Sequence, residues 1–248
     1  MSGHSKWSTI KRKKGAKDAA RSKVFSRLIK EIQIAVKLGG ADPEGNPRLR
    51  LAIQNGKTEN LPKDNIERAI KKASGADATN YEEVVYEGYA THGIAIMIEC
   101  TTDNNNRTVA NVRSYFNKYN GSLGKSGSLD FIFDQKGVFT FKEGQVDLEE
   151  IELDLIDAGA EEIESDGGYI EVICAREDFG KLQKKFDELK IEIENASLKR
   201  IPKDTKELTL SEFLSVMKLI DVIEDDDDVQ NVYHNIELTD ELLSSMEN

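Results

Sequence analysis

The sequence predicts an α+β protein of three domains: a basic helical amino-terminal domain and two α/β domains of ferredoxin-like type, the second inserted into the first. Three observations support this fold class. Apolar residues recur at helical spacing up to residue 75, and strand-like runs alternate with helical stretches from residue 81 onward. The length of 248 residues also exceeds what one hydrophobic core usually organises. We expect domain boundaries at 1–79, at 80–134 plus 207–248, and at 135–206.

Three helices are predicted in the amino-terminal domain. The first covers residues 18–38 and stops at a Gly-Gly pair, and a single apolar stripe marks its buried face. The stripe consists of Phe25, Leu28, Ile29, Ile32 and Val36. An Asn-Pro cap signal at 46–47 begins the second helix, and the third covers residues 62–75. The stretch GADATN that follows is typical of a linker.

The rest of the chain alternates strands and helices. The runs VVYEGY, IAIMIEC, LDFIFD and VFTF are rich in β-branched and aromatic residues and predict strands, with a helix over 106–119. Residues 137–202 follow the order β-α-β-β-α-β, with Gly167-Gly168 in the central hairpin. A last helix and strand follow residue 202. Because one helix and one strand cannot form a sheet alone, we expect them to complete the sheet begun at residues 84–134.

Positive charge is concentrated at the amino terminus. The first 75 residues carry 18 Lys and Arg against 7 Asp and Glu, whereas the whole chain has a net charge of −12. Eight of these cations lie close to Trp7, namely Lys6, Lys11, Arg12, Lys13, Lys14, Lys17, Arg21 and Lys23. Such cations neutralise phosphates, and an indole can stack on an unpaired base. The pattern favours nucleic-acid binding over a merely solvated charged segment.

Two further groups of residues are candidates for the same interface. Arg27, Lys30 and Lys37 extend the basic patch along the first helix, although the solvated side of an amphipathic helix explains them equally well. Asn104, Asn105 and Arg107 lie in the run TTDNNNRT, between a strand and a helix. These side chains can cap the helix, or they can present donors to phosphate or base edges.

Other functional classes find little support in the sequence. The two cysteines do not make a disulfide framework, and the three histidines lack metal-ligand spacing, so we expect no metal and no cofactor. No paired nucleophile and base is visible, and the GSLGKSGS run does not match a phosphate-binding loop, which together argue against an enzyme. The acidic run 225–228 is interpreted as the end of a helix and the start of a turn. Without a signal peptide or an apolar run of membrane-spanning length, we expect a cytoplasmic protein with no membrane association.

A set of sequence blocks spanning nearly the whole chain resembles one known family. The blocks are GHSKW, KRKKGAKDAARSKVFSRLIKEI, NPRLRLAI, LPKDNIERAI, YEGY, TDNNNRT, LGKSGSLDFIF and VYHN. They are similar to those of the YebC/PmpR family, which implies a helical amino-terminal domain and two α/β domains. Family members are described as DNA-binding transcriptional regulators, and others as translation factors that act at the ribosome. This chain departs from the usual pattern at the turn 90–93 and at Gly56, where a helix would lose about 1 kcal/mol.

Three functional hypotheses follow. The leading one is a non-enzymatic regulator of gene expression that binds nucleic acid, of the DNA-binding transcriptional type. The second is a ribosome-associated translation factor that binds ribosomal or messenger RNA, since shape and phosphate recognition need no base-reading helix. The third is an adaptor whose acidic α/β part binds a basic protein. The sequence leaves the oligomeric state open, with a monomer among the possibilities.

Overall fold

A computed structural model describes residues 18–76, 78–239, 241, 242 and 244 of the chain, with side chains from residue 21 onward. Its helices are α1 (Asp18–Gly39), α2 (Pro47–Thr58), α3 (Lys63–Ser74), α4 (Asn105–Lys118), α5 (Leu148–Asp157), α6 (Phe179–Leu189) and α7 (Leu210–Asp225). Its strands are β1 (Glu82–Tyr89), β2 (Ala95–Thr102), β3 (Ser122–Leu123), β4 (Phe133–Lys142), β5 (Ala160–Asp166), β6 (Tyr169–Ala175), β7 (Ile193–Pro202) and β8 (Val229–His234).

The described residues form two compact units. The smaller unit comprises residues 134–201, and the larger one comprises the described residues on either side of that segment. A helical region precedes mixed α/β structure, so the predicted fold class is confirmed at this level. The three-domain boundaries at 79/80, 134/135 and 206/207 stay a prediction.

Helices α1 to α3 share a hydrophobic core made of their own side chains. Its buried members include Leu28, Ile32, Leu49 and Ile66. The turn between α1 and α2 is fixed by Asn46, which is only 3% exposed. Its amide donates to the carbonyls of Ala35 and Gly40 at 2.7 and 2.8 Å, and its Oδ1 accepts from the amide of Leu49 at 3.0 Å. This N-cap therefore also ties the end of α1 to the start of α2.

Gly56, one of the two departures from the family pattern, has a packing explanation. It is buried inside α2, and a Cβ added there would lie 3.3 Å from Cδ2 of Leu61. Glycine at this position lowers the helix propensity of α2, but it allows the loop that follows α2 to approach the helix closely.

The first sheet belongs to the larger unit and has the strand order β3-β1-β2-β8. Strands β1 and β2 form an antiparallel hairpin in which Glu82 faces Thr102, and β8 pairs antiparallel with β2 on the other side. The carboxy-terminal strand thus returns to the sheet begun more than a hundred residues earlier. In the hairpin turn, His92 has a φ of 62°, and its Nδ1 lies 3.2 Å from a carboxylate oxygen of Glu212 on α7.

The smaller unit has the strand order β5-β6-β4-β7, with α5 and α6 as its two helices. This is the sheet order of a ferredoxin-like β-α-β-β-α-β unit. Phe139 of β4 stacks on Phe179 at a centroid distance of 4.6 Å and contacts Phe186 of α6 at 5.1 Å. Gly167 and Gly168, with φ of 58° and 84°, supply the left-handed turn between β5 and β6.

The prediction of two separate strands in LDFIFD and VFTF was wrong. Residues 129–132 form a turn, and a single strand, β4, begins at Phe133. The cause is Glu87 of β1, a carboxylate only 3% exposed that accepts hydrogen bonds from the amides of Gly127 and Leu129 at 2.7 and 2.6 Å. Because these amides bond to a side chain, they are not available to a strand ladder, and Phe131 is left 69% exposed.

Candidate nucleic-acid interface

Seven of the predicted interface residues lie outside the described part of the chain. They are Lys6, Trp7, Lys11, Arg12, Lys13, Lys14 and Lys17. Of the other candidates, Arg21, Lys23, Arg27 and Lys30 lie on α1, and Asn104, Asn105 and Arg107 lie around the start of α4.

The cations of α1 differ in how much of their charge is available to a ligand. Arg21 is exposed, with its guanidinium 5.8 Å from the ring centroid of Phe25. Lys23 is ion-paired, since its Nζ lies 2.8 Å from Oδ1 of Asp225 at the end of α7. Lys37 bonds within the protein as well, to Oδ1 of Asn80 at 2.6 Å.

Arg27 and Lys30 both form hydrogen bonds with the same stretch of chain. We call Glu224–Asp228, which joins the end of α7 to β8, the acidic segment. Arg27 donates to the carbonyl of Glu224 at 2.8 Å, and its burial lowers the pKa of the guanidinium even though two carboxylates lie near it. Lys30 donates to the Asp227 carbonyl at 2.7 Å and to Oδ1 of Asp228 at 3.1 Å. Lys23, Arg27 and Lys30 therefore all bind the acidic segment.

Asp228 is the centre of this polar network. Its Oδ2 accepts from Arg107 at 2.6 Å, from Thr108 at 2.8 Å and from Thr102 at 3.2 Å, while Oδ1 faces Lys30. Burial alone would raise the pKa of this carboxyl, but the hydrogen bonds from Arg107, Thr108 and Lys30 outweigh burial and lower it. Asp228 is thus a charged, internally neutralised group that joins α1 to β2 and α4.

Asp226 anchors the same segment to α4. Its Oδ2 accepts from the Tyr115 hydroxyl at 2.8 Å and from the Asn111 amide at 3.1 Å. Its Oδ1 accepts from the backbone amide of Asp228 at 2.9 Å, which fixes the turn before β8. Burial and the hydrogen bond to Asp226 raise the pKa of Tyr115 to about 12. The acidic run does end a helix and begin a turn, but four consecutive aspartates gave no signal that two of them would point inward.

The residues at the start of α4 have internal partners. Asn104 is the N-cap of α4 and accepts from the amide of Arg107 at 3.1 Å. Oδ1 of Asn105 accepts from the hydroxyl of Tyr86, whose pKa is raised to about 12, chiefly by burial. Hydrogen bonds to Asp228 and Asp103 raise the pKa of Arg107. The capping role considered for this run is therefore present, and Arg107 meets Lys30 at a shared carboxylate.

A second set of cations on the helical part is exposed to solvent and was not part of the interface predicted from sequence. We call these residues the outer cations of α2 and α3: Arg50, Lys57, Arg68, Lys71 and Lys72. The signal was available, because each lies off the buried apolar stripe of its helix. The dense run at residues 6–23 dominates the charge pattern and masks this weaker signal.

Comparison with known proteins places the chain in a family. A family model for the TACO1/YebC protein N-terminal domain matches residues 5–76, and one for the TACO1/YebC second and third domain matches residues 81–236. The chain belongs to the TACO1/YebC family. The sequence-based resemblance to the YebC/PmpR family is thereby confirmed.

Relatives of this YebC-family chain match it over nearly their full length. A probable transcriptional regulatory protein of Amoebophilus asiaticus is 56% identical over 95% of this chain and 98% of its own length. A protein of Geotalea uraniireducens with the same description is 48% identical over 99% of this chain and 100% of its own. The crystal structure of a conserved hypothetical protein from Aquifex aeolicus superposes with a TM-score of 0.82 at 40% identity, covering 91% of this chain and 94% of that one.

Proposed function

We propose that this protein is a non-enzymatic regulator of gene expression that binds nucleic acid, of the DNA-binding transcriptional type. The observation that carries the proposal is the basic helical part, whose outer cations face solvent while the whole chain is acidic. Such a basic surface attracts phosphate, whereas the acidic remainder of the chain repels phosphate. The names of the relatives, probable transcriptional regulatory proteins, support the same class of function.

The interface we propose consists of the basic residues 6–17, Arg21 and the outer cations. The cations on the inner face of α1, namely Lys23, Arg27 and Lys30, are engaged by the acidic segment, so they are not free to bind phosphate in this arrangement. Lys and Arg on helix surfaces contact phosphates, and reading base edges needs a set of side chains inserted into a groove. We therefore expect binding dominated by phosphate contacts.

The absence of catalysis is part of the proposal, and the burial of the two thiols supports it. Cys100 and Cys174 are buried, and burial raises their pKa values to about 12 and about 11. In the described part of the chain, no three His, Cys, Asp or Glu residues are grouped so as to hold a metal ion. No helix of that part is long and apolar enough to cross a membrane. A cytoplasmic location is our expectation for a regulator of this kind.

Salt titration of binding tests the proposal. We would measure the affinity for a fluorescent 30-base-pair DNA duplex by anisotropy between about 50 and 300 mM salt. The logarithm of affinity should fall linearly with the logarithm of salt concentration, and Lys71→Ala should reduce the slope by about 0.9 for one lost phosphate contact. Lys184→Ala, an exposed lysine on α6 of the smaller unit, is the matched control and should leave the slope unchanged. A flat salt response, or equal effects of the two variants, contradicts the proposal.

An RNA target is the second candidate, because recognition of shape and phosphate needs no base-reading helix and the outer cations can contact RNA phosphates as well as DNA phosphates. In this case the protein is a ribosome-associated translation factor. Sedimentation of a lysate through a sucrose gradient separates the two candidates. Co-migration with ribosomes that survives DNase but is lost on deleting residues 1–17 supports the RNA target, whereas co-migration abolished by DNase supports DNA.

A further inference from the structure

We propose that the acidic segment is an internal substitute for nucleic-acid phosphate, which occupies the inner basic face of α1 until a polyanion displaces it. This inference rests on the proposed function, because it requires that the protein binds nucleic acid. The inner face of α1 is then a second phosphate-binding face, in addition to the outer cations. In the free protein the acidic segment covers this inner face.

The geometry of the acidic segment imitates a strand of phosphates. Four oxygens from five consecutive residues face three cations spaced along about two turns of one helix. Lys23 faces a carboxylate oxygen of Asp225 at 2.8 Å, Arg27 faces the carbonyl of Glu224 at 2.8 Å, and Lys30 faces one oxygen each of Asp227 and Asp228. Lysine and arginine in this arrangement bind phosphate oxygens by the same charge-assisted hydrogen bonds.

The acidic segment is held on its far side by groups that do not belong to α1. Asp228 bonds to Arg107 and Thr108, and Asp226 bonds to Asn111 and Tyr115. These contacts keep the segment in place when α1 is removed. Opening is therefore a movement of the helix away from a preformed acidic surface and does not require the segment to unfold.

The helical part can move because nearly all of its buried apolar side chains pack in a core of its own, with Ile34 of α1 the one described apolar residue buried outside that cluster. The core cluster of α1 to α3 draws all its members from residues 24–73, so separation from the sheet leaves this cluster intact. The contacts described above between α1 and the acidic segment are polar, as is the ion pair of Arg48 with Glu83 that joins α2 to β1. Polar contacts between charged groups can be exchanged for water, salt or phosphate far more readily than apolar packing can.

Arg27 gives an independent indication that the internal substitute is imperfect. Its Nε is buried and, among the described residues, finds no hydrogen-bond partner, while its NH2 donates to a single carbonyl. A guanidinium presents several donors in a planar fork, and phosphate can satisfy two of them at once. A bound phosphate would therefore accept the hydrogen bond from Nε of Arg27 that the acidic segment does not accept.

Two aspartates separated by one residue, Asp225 and Asp227, provide a matched pair of variants. Asp225→Asn removes the carboxylate that pairs with Lys23, whereas Asp227→Asn removes an exposed neighbouring charge whose residue contacts α1 only through its carbonyl. Both variants change the net charge equally. We expect D225N to bind a fluorescent 30-nucleotide RNA and the matching DNA duplex about threefold more tightly than D227N, the effect of losing one exposed ion pair that opposes binding.

A second measurement follows opening without any nucleic acid. Acylation of lysines by an N-hydroxysuccinimide ester, quantified by mass spectrometry, should be faster at Lys30 in D225N than in D227N, because the Lys30 side chain is only 14% exposed in the closed form. Lys63, whose side chain is 86% exposed, serves as the internal standard.

Equal affinities and equal Lys30 acylation in the two variants would overturn the inference while leaving the proposed function standing. Faster Lys30 acylation together with tighter binding in D225N supports it. If neither the RNA nor the DNA binds any of the proteins, the proposed function fails, and the displacement by phosphate proposed here fails with it.

Discussion

Replacing Asp228 by asparagine tests whether the polar network around this residue stabilises the larger unit. The substitution keeps the size of the side chain but removes its charge and leaves Lys30, which is largely buried, without its carboxylate. Removing one partner of a buried pair typically costs 3–5 kcal/mol. Arg107 is half-exposed and keeps Asp103 at 2.9 Å, so we expect the low end of that range, about 3 kcal/mol.

The assay is urea unfolding followed by circular dichroism at 222 nm, with Asp227→Asn as the control. Asp227 is exposed, and its substitution should change the free energy of unfolding by less than about 0.5 kcal/mol. If D228N unfolds at the same urea concentration as D227N, the network does not stabilise the fold and the reasoning is refuted.

The same variant has a defined pH signature. The pKa of Asp228 is lowered in the folded protein, so its contribution to stability is complete above the unfolded-state pKa of about 3.9. That contribution is lost as the pH falls below this value and through the folded-state pKa. Between about pH 4 and pH 2, stability should therefore fall less steeply in D228N than in the wild-type protein.

Three further predictions concern other buried polar groups. Asn46→Ala removes an N-cap and leaves two backbone carbonyls without their donor, so the free energy of unfolding measured by urea titration should fall by about 2–3 kcal/mol; a loss under about 0.5 kcal/mol would contradict this. Glu87→Gln exchanges one of two acceptor oxygens for a donor that faces backbone amides, and we expect faster amide hydrogen exchange at residues 127–129, whereas unchanged exchange would show that Glu87 does not hold the turn. Cys100 and Cys174 should not react with Ellman's reagent at pH 8 until the protein is unfolded in urea, because burial raises both pKa values well above that pH; a fast-reacting thiol in the native protein would be inconsistent with their burial.

Local sequence signals predicted the elements of this fold well, and their errors have a common cause. The cap at Asn46, the Gly-Gly hairpin at 167–168 and the β-α-β-β-α-β order depend on residues close together in the chain, and the structure contains all three. The predicted strand at 129–134 failed at its start because Glu87, some forty residues away in the chain, accepts hydrogen bonds from the backbone amides of Gly127 and Leu129. Strand propensity does not register such a distant acceptor.

The candidate interface likewise has features that the sequence alone predicts and features that only the folded structure decides. The amino-acid sequence by itself determined that positive charge is concentrated in the helical part and that the chain resembles the YebC/PmpR family, because net charge and motif order do not depend on folding. Only the tertiary structure decided which cations remain available. Lys30 and Asp228 are 198 residues apart in the chain yet 3.1 Å apart in space, and a charge that meets its partner only after folding cannot be distinguished in sequence from one that faces solvent.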